Sequence, residues 1–118
     1  MDFVVGNLNQ QEVSRVPSKC GAYVLWGFYR DGNNFCVLYV GRSNDLNQRL
    51  RDHLPSNESN PRLQRNRPTH FAYLVTRNEE EAYQAECWLY HHHNPPCNSA
   101  HPAKPSVRSR CPFPGCDK

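Results

Sequence analysis

Apolar residues in the first half of the chain fall into short runs of strand length. Residues 22–30 and 35–41 are rich in Val, Tyr, Phe and Trp, the residue types that pleated strands favour. The intervening residues 31–34 have the sequence Asp-Gly-Asn-Asn, and these types tolerate the positive φ angles of a tight turn. The pattern predicts a β-hairpin, and residues 71–76 are a third strand candidate by the same criteria.

Two helices are predicted from apolar spacing and from end signals. Over residues 44–54 leucines recur every fourth residue behind the N-cap candidates Ser43 and Asn44. A second helix is predicted to begin after Asn78, an N-cap residue with Glu81 three residues later as in a capping box. It is expected to end before the next proline, which cannot continue the hydrogen-bond ladder.

Two segments show no sustained period. Residues 56–68 are polar, with two prolines and three arginines, and predict a surface loop that is long for a small domain. The chain has 118 residues, which suits one compact core. We therefore predict a domain over residues 1–98 and a proline-rich irregular tail over residues 99–118 that carries a Cys-x4-Cys pair.

Composition narrows the functional classes only slightly. A formal net charge of +3 permits nucleic-acid binding without requiring it. The apolar runs are too short to span a bilayer, and residues 1–10 lack the basic and apolar regions of a secretory signal. A cytoplasmic location is therefore expected, in which the six cysteines would bind metal or be buried rather than form disulfides.

Charged side chains lie on the apolar faces of both predicted helices. Arg49 and His53 share the leucine face of the first helix, where an arginine stem can cover apolar surface while its head group reaches water. Glu86 lies inside the apolar stripe of the second helix. A buried carboxylate must be paired, neutralised or bound to a cation, and the two explanations left open are a cation site and a salt bridge with Arg49.

Five landmarks occur in an order that resembles a known family. They are Gly-Ala-Tyr at residues 21–23, Tyr-Val-Gly at residues 39–41, Arg49 ten residues after the second tyrosine, Glu86, and Asn98 twelve residues after Glu86. Together they resemble the GIY-YIG nuclease superfamily, and especially the N-terminal nuclease module of bacterial excision-repair enzymes, here as a stand-alone domain without their partner domains.

The resemblance implies an α+β fold in which a small three-stranded antiparallel sheet is flanked by helices, in agreement with the elements above. It implies a metal-dependent endonuclease that hydrolyses DNA phosphodiester bonds with Mg²⁺ or Mn²⁺ as cofactor. In this scheme Glu86 holds the ion and Arg49 offers a fixed cationic fork to phosphate. The implied catalytic residues are Tyr23, Tyr39, Arg49, His53 and Glu86, with Gly41, Arg42 and Asn98 in supporting positions.

Either tyrosine of the motif could receive the proton of the attacking water. A phenol has an ordinary pKa near ~10, so it acts as a base only where cations or a hydrogen bond favour the phenolate. Tyr23 is our preference, with His53 supplying the hydrogen bond. Asn98 is expected to position the helix that carries Glu86 rather than to touch substrate.

DNA is the expected partner. Five arginines could follow its backbone through sequence-independent phosphate contacts, although solvated loop charges are the commoner case. They are Arg42, Arg51, Arg62, Arg65 and Arg67. No membrane partner is expected, and a partner protein or a homodimer could supply specificity.

The C-terminal cysteines raise a separate hypothesis. Cys111 and Cys116 enclose a turn in the manner of a zinc knuckle, and Cys97 with His101 is the nearest upstream pair of suitable spacing. The alternative functions are therefore a catalytically weak nucleic-acid-binding module of the same fold and a zinc-stabilised protein-interaction domain. Residues 91–93, three histidines at the end of the second helix, are assigned no metal.

Overall fold

The computed structural model describes residues 2–30 and 34–118. The strands are β1 (Val4–Asn7), β2 (Gly21–Tyr29), β3 (Asn34–Ser43) and β4 (His70–Val75). The helices are α1 (Gln10–Val13), α2 (Leu46–Asp52), α3 (Pro61–Asn66) and α4 (Glu79–His93). The strands form one antiparallel sheet in the order β1-β4-β2-β3. The mixed fold with an antiparallel sheet and flanking helices is as expected.

The sheet has one strand more than the three predicted. β1 pairs with the edge of β4 that faces away from β2. It was not predicted from the sequence because it is short and its residues are mostly exposed. The three expected strands are all present, and β2 pairs with both β3 and β4. The predicted hairpin turn falls largely on residues 31–33, which lie outside the described residues.

The helix ends follow local capping chemistry. Asp45, rather than Ser43 or Asn44, caps α2 by accepting a hydrogen bond from the backbone N–H of Gln48. Asn78 caps α4 as predicted, and that helix ends at Asn94 in a left-handed conformation with φ 48°.

The long connection predicted as a loop contains a helix. Asn60 caps α3 and Pro61 occupies its first turn, a position where the missing proline N–H costs nothing. The apolar contribution of α3 to the core is a single buried leucine, Leu63, so no helical period was visible in the sequence.

Helices cover both faces of the sheet. The main core joins Tyr23 and Leu25 of β2 to the buried leucines of α2 and α3. On the opposite face, Leu89 and Tyr90 of α4 pack against Val24 and neighbouring valines. The predicted tail contains no helix or strand, and its Cys111 and Phe113 cover the outer side of α4. In the described ranges, 2–30 and 34–118, no helix has the length and apolar character needed to cross a bilayer.

Candidate active site

Two tyrosines on adjacent strands form the centre of the candidate site. Tyr23 of β2 lies opposite Gly41 of β3, and Tyr39 packs against the same core on the same face, with the two ring centroids 6.3 Å apart. The phenol ring of Tyr23 lies directly over Gly41, where a Cβ atom would overlap it. Gly41 is therefore required by close approach, and it lets the Tyr23 hydroxyl reach the end of β3.

Helix α2 and its C-cap residue supply two partners to the Tyr23 hydroxyl. His53 Nε2 lies 2.7 Å from this oxygen, and Arg49 Nε donates to it at 3.2 Å. Arg49 and His53 come from the leucine face of α2, as predicted, because residues four apart share one side of a helix. Tyr23 and His53 are buried, whereas the Arg49 side chain is 42% exposed. The Arg49 Nε is thus held by Tyr23, and at the exposed end of the guanidinium Nη1 lies 3.8 Å from Asp52 Oδ2.

Glu58 completes this chain of hydrogen bonds and was not foreseen from the sequence. Its Oε1 lies 2.6 Å from His53 Nδ1. A carboxylate can only accept, so Nδ1 must carry a proton, and in neutral imidazole Nε2 then accepts from the Tyr23 O–H. Glu58 follows the end of α2 in an irregular polar segment, where no periodicity identifies a buried partner.

The environment sets the protonation of this chain. Burial raises the pKa of the Tyr23 phenol, and the nearby Arg49 only partly opposes this effect. Burial also disfavours the charged form of Glu58, but hydrogen bonds from His53 and from the Asn60 backbone outweigh it and lower the pKa of Glu58. Tyr23 is therefore a neutral phenol and Glu58 a carboxylate at neutral pH.

Glu86 approaches from the opposite layer of the molecule. Although α4 packs on the other face of the sheet, Glu86 and the two tyrosines line one open depression of about 330 Å³, because β3 is an edge strand and the carboxylate passes beside it. The residues lining the depression are Tyr23, Tyr39, Gly41, Arg42, Ser43, Asn44, Arg49, Glu79, Glu86 and Ala103. His53 lies behind Tyr23 rather than on this wall.

The ion-pair partner of Glu86 is Arg42 rather than Arg49. Arg42 Nη1 donates to Glu86 Oε1 at 2.7 Å, and its guanidinium lies 5.4 Å from the ring centroid of Tyr83. The salt bridge with Arg49 that helix periodicity left open is not formed, because Arg42 meets α4 at the strand edge. Burial raises the pKa of Glu86, opposed by the hydrogen bond and charge of Arg42.

Asn98 acts on the strand beside the site. Its side-chain amide accepts from the Val40 backbone N–H at 2.9 Å and donates to the Val40 carbonyl at 2.8 Å. The contact holds β3 immediately before Gly41. The expected contact was with the helix that carries Glu86, whereas the Asn98 side chain is engaged with the backbone of β3 instead.

Comparison with known proteins identifies the family. The model of the UvrC-like GIY-YIG domain matches residues 19–99, well over half of the chain. The chain belongs to the GIY-YIG family. It is 29% identical over 92 residues to UvrABC system protein C of Ruminiclostridium cellulolyticum and 32% identical over 92 residues to that of a Synechococcus species. Each alignment covers 75% of this chain but 14% of the relative.

A solved structure shares the fold of this GIY-YIG domain. It is the N-terminal endonuclease domain of UvrC from Thermotoga maritima, bound to its catalytic divalent cation, magnesium. The match has a TM-score of 0.55 at 23% identity and covers 75% of this chain and 93% of that one. The matched family model includes the site residues described above, from Tyr23 to Asn98.

The arginines proposed to follow DNA do not form one surface in this GIY-YIG domain. Arg42 is held by Glu86, and Arg51 donates to Asn47 on the outer side of α2. Arg67 ends α3 and lines a separate depression beside His53.

The other two arginines, Arg62 and Arg65, line a depression of about 480 Å³ together with Arg30, a residue outside the predicted set. Arg62 also donates to the carbonyls of Pro96 and Asn98, whereas Arg65 is exposed. Tyr29 of this depression pairs with the start of β3. At about 3.3 Å per residue, it lies roughly 20–25 Å along the strand from Gly41.

The zinc hypothesis named one residue wrongly. His101, Cys111 and Cys116 do come together, but Cys97 is buried in the main core beneath β3, where its backbone N–H donates to Leu38. The fourth member of the cluster is His91, a residue that had been assigned no metal. All six cysteines are free, as expected for thiols that do not form disulfides.

Proposed function

We propose that this domain is a metal-dependent endonuclease that hydrolyses DNA phosphodiester bonds. The observation that carries the proposal is the convergence of Tyr39, Arg49 and Glu86 on one open depression, although they come from a strand and from helices on opposite faces of the sheet. Phosphodiester cleavage needs a proton acceptor, fixed positive charge near the phosphoryl oxygens, and a position for the attacking water. Each requirement has a candidate residue here.

The donor chemistry of the depression fits a hard divalent cation. Glu86 presents a carboxylate at a polar, open wall, and its ion pair uses Oε1, which leaves Oε2 for a metal. Mg²⁺ favours this type of site because it binds through few protein carboxylates and keeps waters and substrate phosphate as ligands. When bound, Mg²⁺ or Mn²⁺ would supply Lewis acidity to the phosphoryl group. Glu86 would hold the ion, and Arg42 would orient the carboxylate.

Arg49 is the proposed phosphate ligand. Its Nε is fixed by the Tyr23 hydroxyl, so the terminal nitrogens can donate to two phosphate oxygens with little loss of side-chain freedom. Tyr23 would therefore serve as an anchor for Arg49, itself held by His53 and Glu58.

Burial favours Tyr39 over Tyr23 as the proton acceptor. Tyr23 is fully buried and its pKa is raised, so it is a poor partner for a water molecule. Tyr39 is partly exposed and lines the depression, with the Arg49 charge beside it. In this scheme the phenolate form of Tyr39 takes the water proton and becomes the neutral phenol, while Arg49 stabilises the charge that builds on the phosphate.

A cleavage assay on plain, nicked, branched and single-stranded DNA tests the proposal. The domain is expected to cut at least one substrate with Mg²⁺ or Mn²⁺ and none with chelator. DNA binding without metal-dependent cleavage of any substrate would contradict it and support a binding module of the same fold. The UvrC relatives suggest DNA repair as the biological setting.

Glu58 is expected to matter through His53 rather than through substrate. In Glu58→Ala the buried His53 Nδ1–H loses its acceptor, at a cost of about 1–3 kcal/mol in the free energy of unfolding. The hydrogen bonds that fix Tyr23 and Arg49 weaken, and kcat should fall by up to about 10- to 100-fold, the range known for partners that orient metal ligands. Measured KM for DNA should change little.

Two variants separate positioning from general destabilisation. Glu58→Gln keeps an acceptor for Nδ1–H and should recover most of the lost kcat. Glu81→Ala removes a partly exposed carboxylate that bonds to Arg77 outside the candidate site and should leave kcat unchanged. Wild-type kcat in Glu58→Ala would show that the chain from Glu58 to Arg49 has no role in the reaction.

DNA affinity is expected to depend on the second depression. Replacing Arg30 and Arg65 together by glutamine removes two charges there while keeping Arg62, which supports the chain near Asn98. Fewer released counterions should lower affinity similarly for all sequences and reduce the slope of log K against log salt by about 2. The distance to Gly41 corresponds to about seven base pairs at roughly 3.4 Å rise, a length that one short duplex spans.

The matched control removes the same charge elsewhere. Arg15 lies just beyond α1 and Arg108 in the tail, and both are exposed. The double variant Arg15→Gln, Arg108→Gln should keep the wild-type salt slope in a fluorescence anisotropy titration. If the two double variants reduce the salt slope equally, net charge rather than the second depression determines DNA affinity.

A further inference from the structure

Four metal-binding side chains converge where the tail packs against α4, away from the candidate active site. His91 lies in the last turn of α4, and His101, Cys111 and Cys116 come from the tail. One ligand atom from each lies within 4.8 Å of all the others. A tetrahedral zinc site with nitrogen and sulfur ligands needs spacings of about 3.3–3.8 Å. Small side-chain movements would bring the four atoms to that geometry.

His91 has a polar atom that the surrounding protein leaves unsatisfied. Its Nε2 is buried, and within residues 2–30 and 34–118 it makes no hydrogen bond. Buried polar atoms without partners are rare in folded proteins and often mark an absent ion or water.

His101 is oriented as a ligand by a second contact. Its Nδ1 lies 3.0 Å from the carbonyl oxygen of Pro102, and since a carbonyl only accepts, Nδ1 carries the proton. The lone pair is then on Nε2, which lies 3.5 Å from Cys116 Sγ. Metal-binding histidines are typically fixed in this way, with one nitrogen donating to a carbonyl and the other facing the metal.

The two cysteines are brought together by a tight turn. The Cys116 N–H donates to the Phe113 carbonyl at 3.1 Å, with Pro114 and Gly115 at the central positions and Gly115 at φ 86°. Proline followed by a glycine of positive φ is the sequence that a type II turn requires. The turn reverses the chain so that both thiols face His91 and His101.

The tail has little else to hold it in place. Its contacts with α4 come from Cys111, Phe113 and Cys116, from ring contacts of Phe113 with Trp88 and of His101 with Tyr90, and from a hydrogen bond of 2.7 Å between Ser109 and Glu80. Ordering an irregular segment costs about 1–2 kcal/mol per residue in backbone entropy, and these contacts involve few residues of the tail. A bound ion would supply the missing cross-link.

We propose that His91, His101, Cys111 and Cys116 bind one Zn²⁺ ion, which fastens the tail to α4. Two thiolates and two imidazoles in tetrahedral arrangement favour zinc over the hard cation proposed for Glu86. Ala103 lies in the tail between the ligands His101 and Cys111, and it lines the candidate active site. The ion would thus also hold one wall of that depression.

Metal analysis of the intact chain, purified under reducing conditions, is the first test. One zinc per chain is expected. A zinc-selective chelator, applied with excess Mg²⁺ present, should lower the melting temperature, and added Zn²⁺ should restore it. Co²⁺ should give the visible absorption of a tetrahedral site with two thiolates. Failure of the chain to bind either zinc or cobalt would overturn the proposal.

Variants test the ligand set. Cys111→Ser and His91→Ala should each lose bound zinc, whereas Cys97→Ala, which removes the thiol suggested by sequence spacing, should keep it. If a ligand variant is insoluble, thiol titration of the wild type provides the same information, because zinc should protect two of the six cysteines and chelator should release them. Retention of zinc by the soluble Cys111→Ser and His91→Ala variants, or its loss in folded Cys97→Ala, would contradict the assignment.

Discussion

Replacing Glu86 by glutamine is expected to lower metal-dependent DNA cleavage by at least about 10²- to 10³-fold, the loss seen when one preorganised charge-stabilising group is removed. Glutamine has nearly the same shape, so Arg42 can still donate to its side-chain oxygen. The substitution removes the negative charge that would bind the hydrated cation. Initial rates over a Mg²⁺ titration measure the effect, with circular dichroism to show that the fold is kept.

Two nearby carboxylates serve as controls for Glu86. Glu79 lines the same depression but is half exposed and lies 3.8 Å from Arg42, so Glu79→Gln should reduce activity far less. Glu81→Gln, outside the depression, should be neutral. If Glu86→Gln cuts DNA at the wild-type rate and with the same Mg²⁺ requirement, the cation must bind elsewhere and the proposed function fails.

Replacing Arg49 by alanine is expected to have an effect of similar size. The variant removes the guanidinium proposed to bind the phosphate, and it also removes the N–H that donates to the Tyr23 hydroxyl. Arg49→Lys should recover little activity, because an ammonium cannot bond to Tyr23 and to two phosphate oxygens in the same geometry. Single-turnover cleavage at saturating DNA isolates this loss from any change in binding.

Arg51 provides the matched control for Arg49. It lies on the same helix two residues later, and its side chain donates to Asn47 at the exposed surface. Arg51→Ala should retain the single-turnover rate. An Arg49→Ala variant that folds and cleaves as fast as Arg51→Ala would exclude Arg49 as the group that stabilises the reacting phosphate.

Local sequence signals predicted the elements that position the site. The aromatic and branched residues of β2 and β3, the leucine spacing of α2 and the Asn78 cap of α4 each express short-range preferences that the tertiary fold retained. The inward position of Glu86 also followed from helical periodicity alone. These signals were sufficient to predict the elements, because each depends on residues that are close together in the sequence.

The partners of the site residues could not be predicted in the same way. Arg42 meets Glu86 only because β3 is the sheet edge, and Glu58 reaches His53 through a turn with no regular pattern. His91 joins the cysteine cluster because the tail folds back over α4. In each case the contact depends on how layers pack, and a charged side chain in the sequence does not reveal its distant partner.

The contact between Asn98 and Val40 also affects how the molecule can associate. A sheet edge normally presents free N–H and C=O groups that can pair with a strand of another chain. Along this stretch of β3, the Asn98 side-chain amide forms hydrogen bonds with both the N–H and the C=O of Val40, and the Cys97 N–H donates to the Leu38 carbonyl. A foreign strand could add here only by displacing residues 97 and 98. The molecule therefore protects this edge from strand-to-strand aggregation while the neighbouring depression stays open.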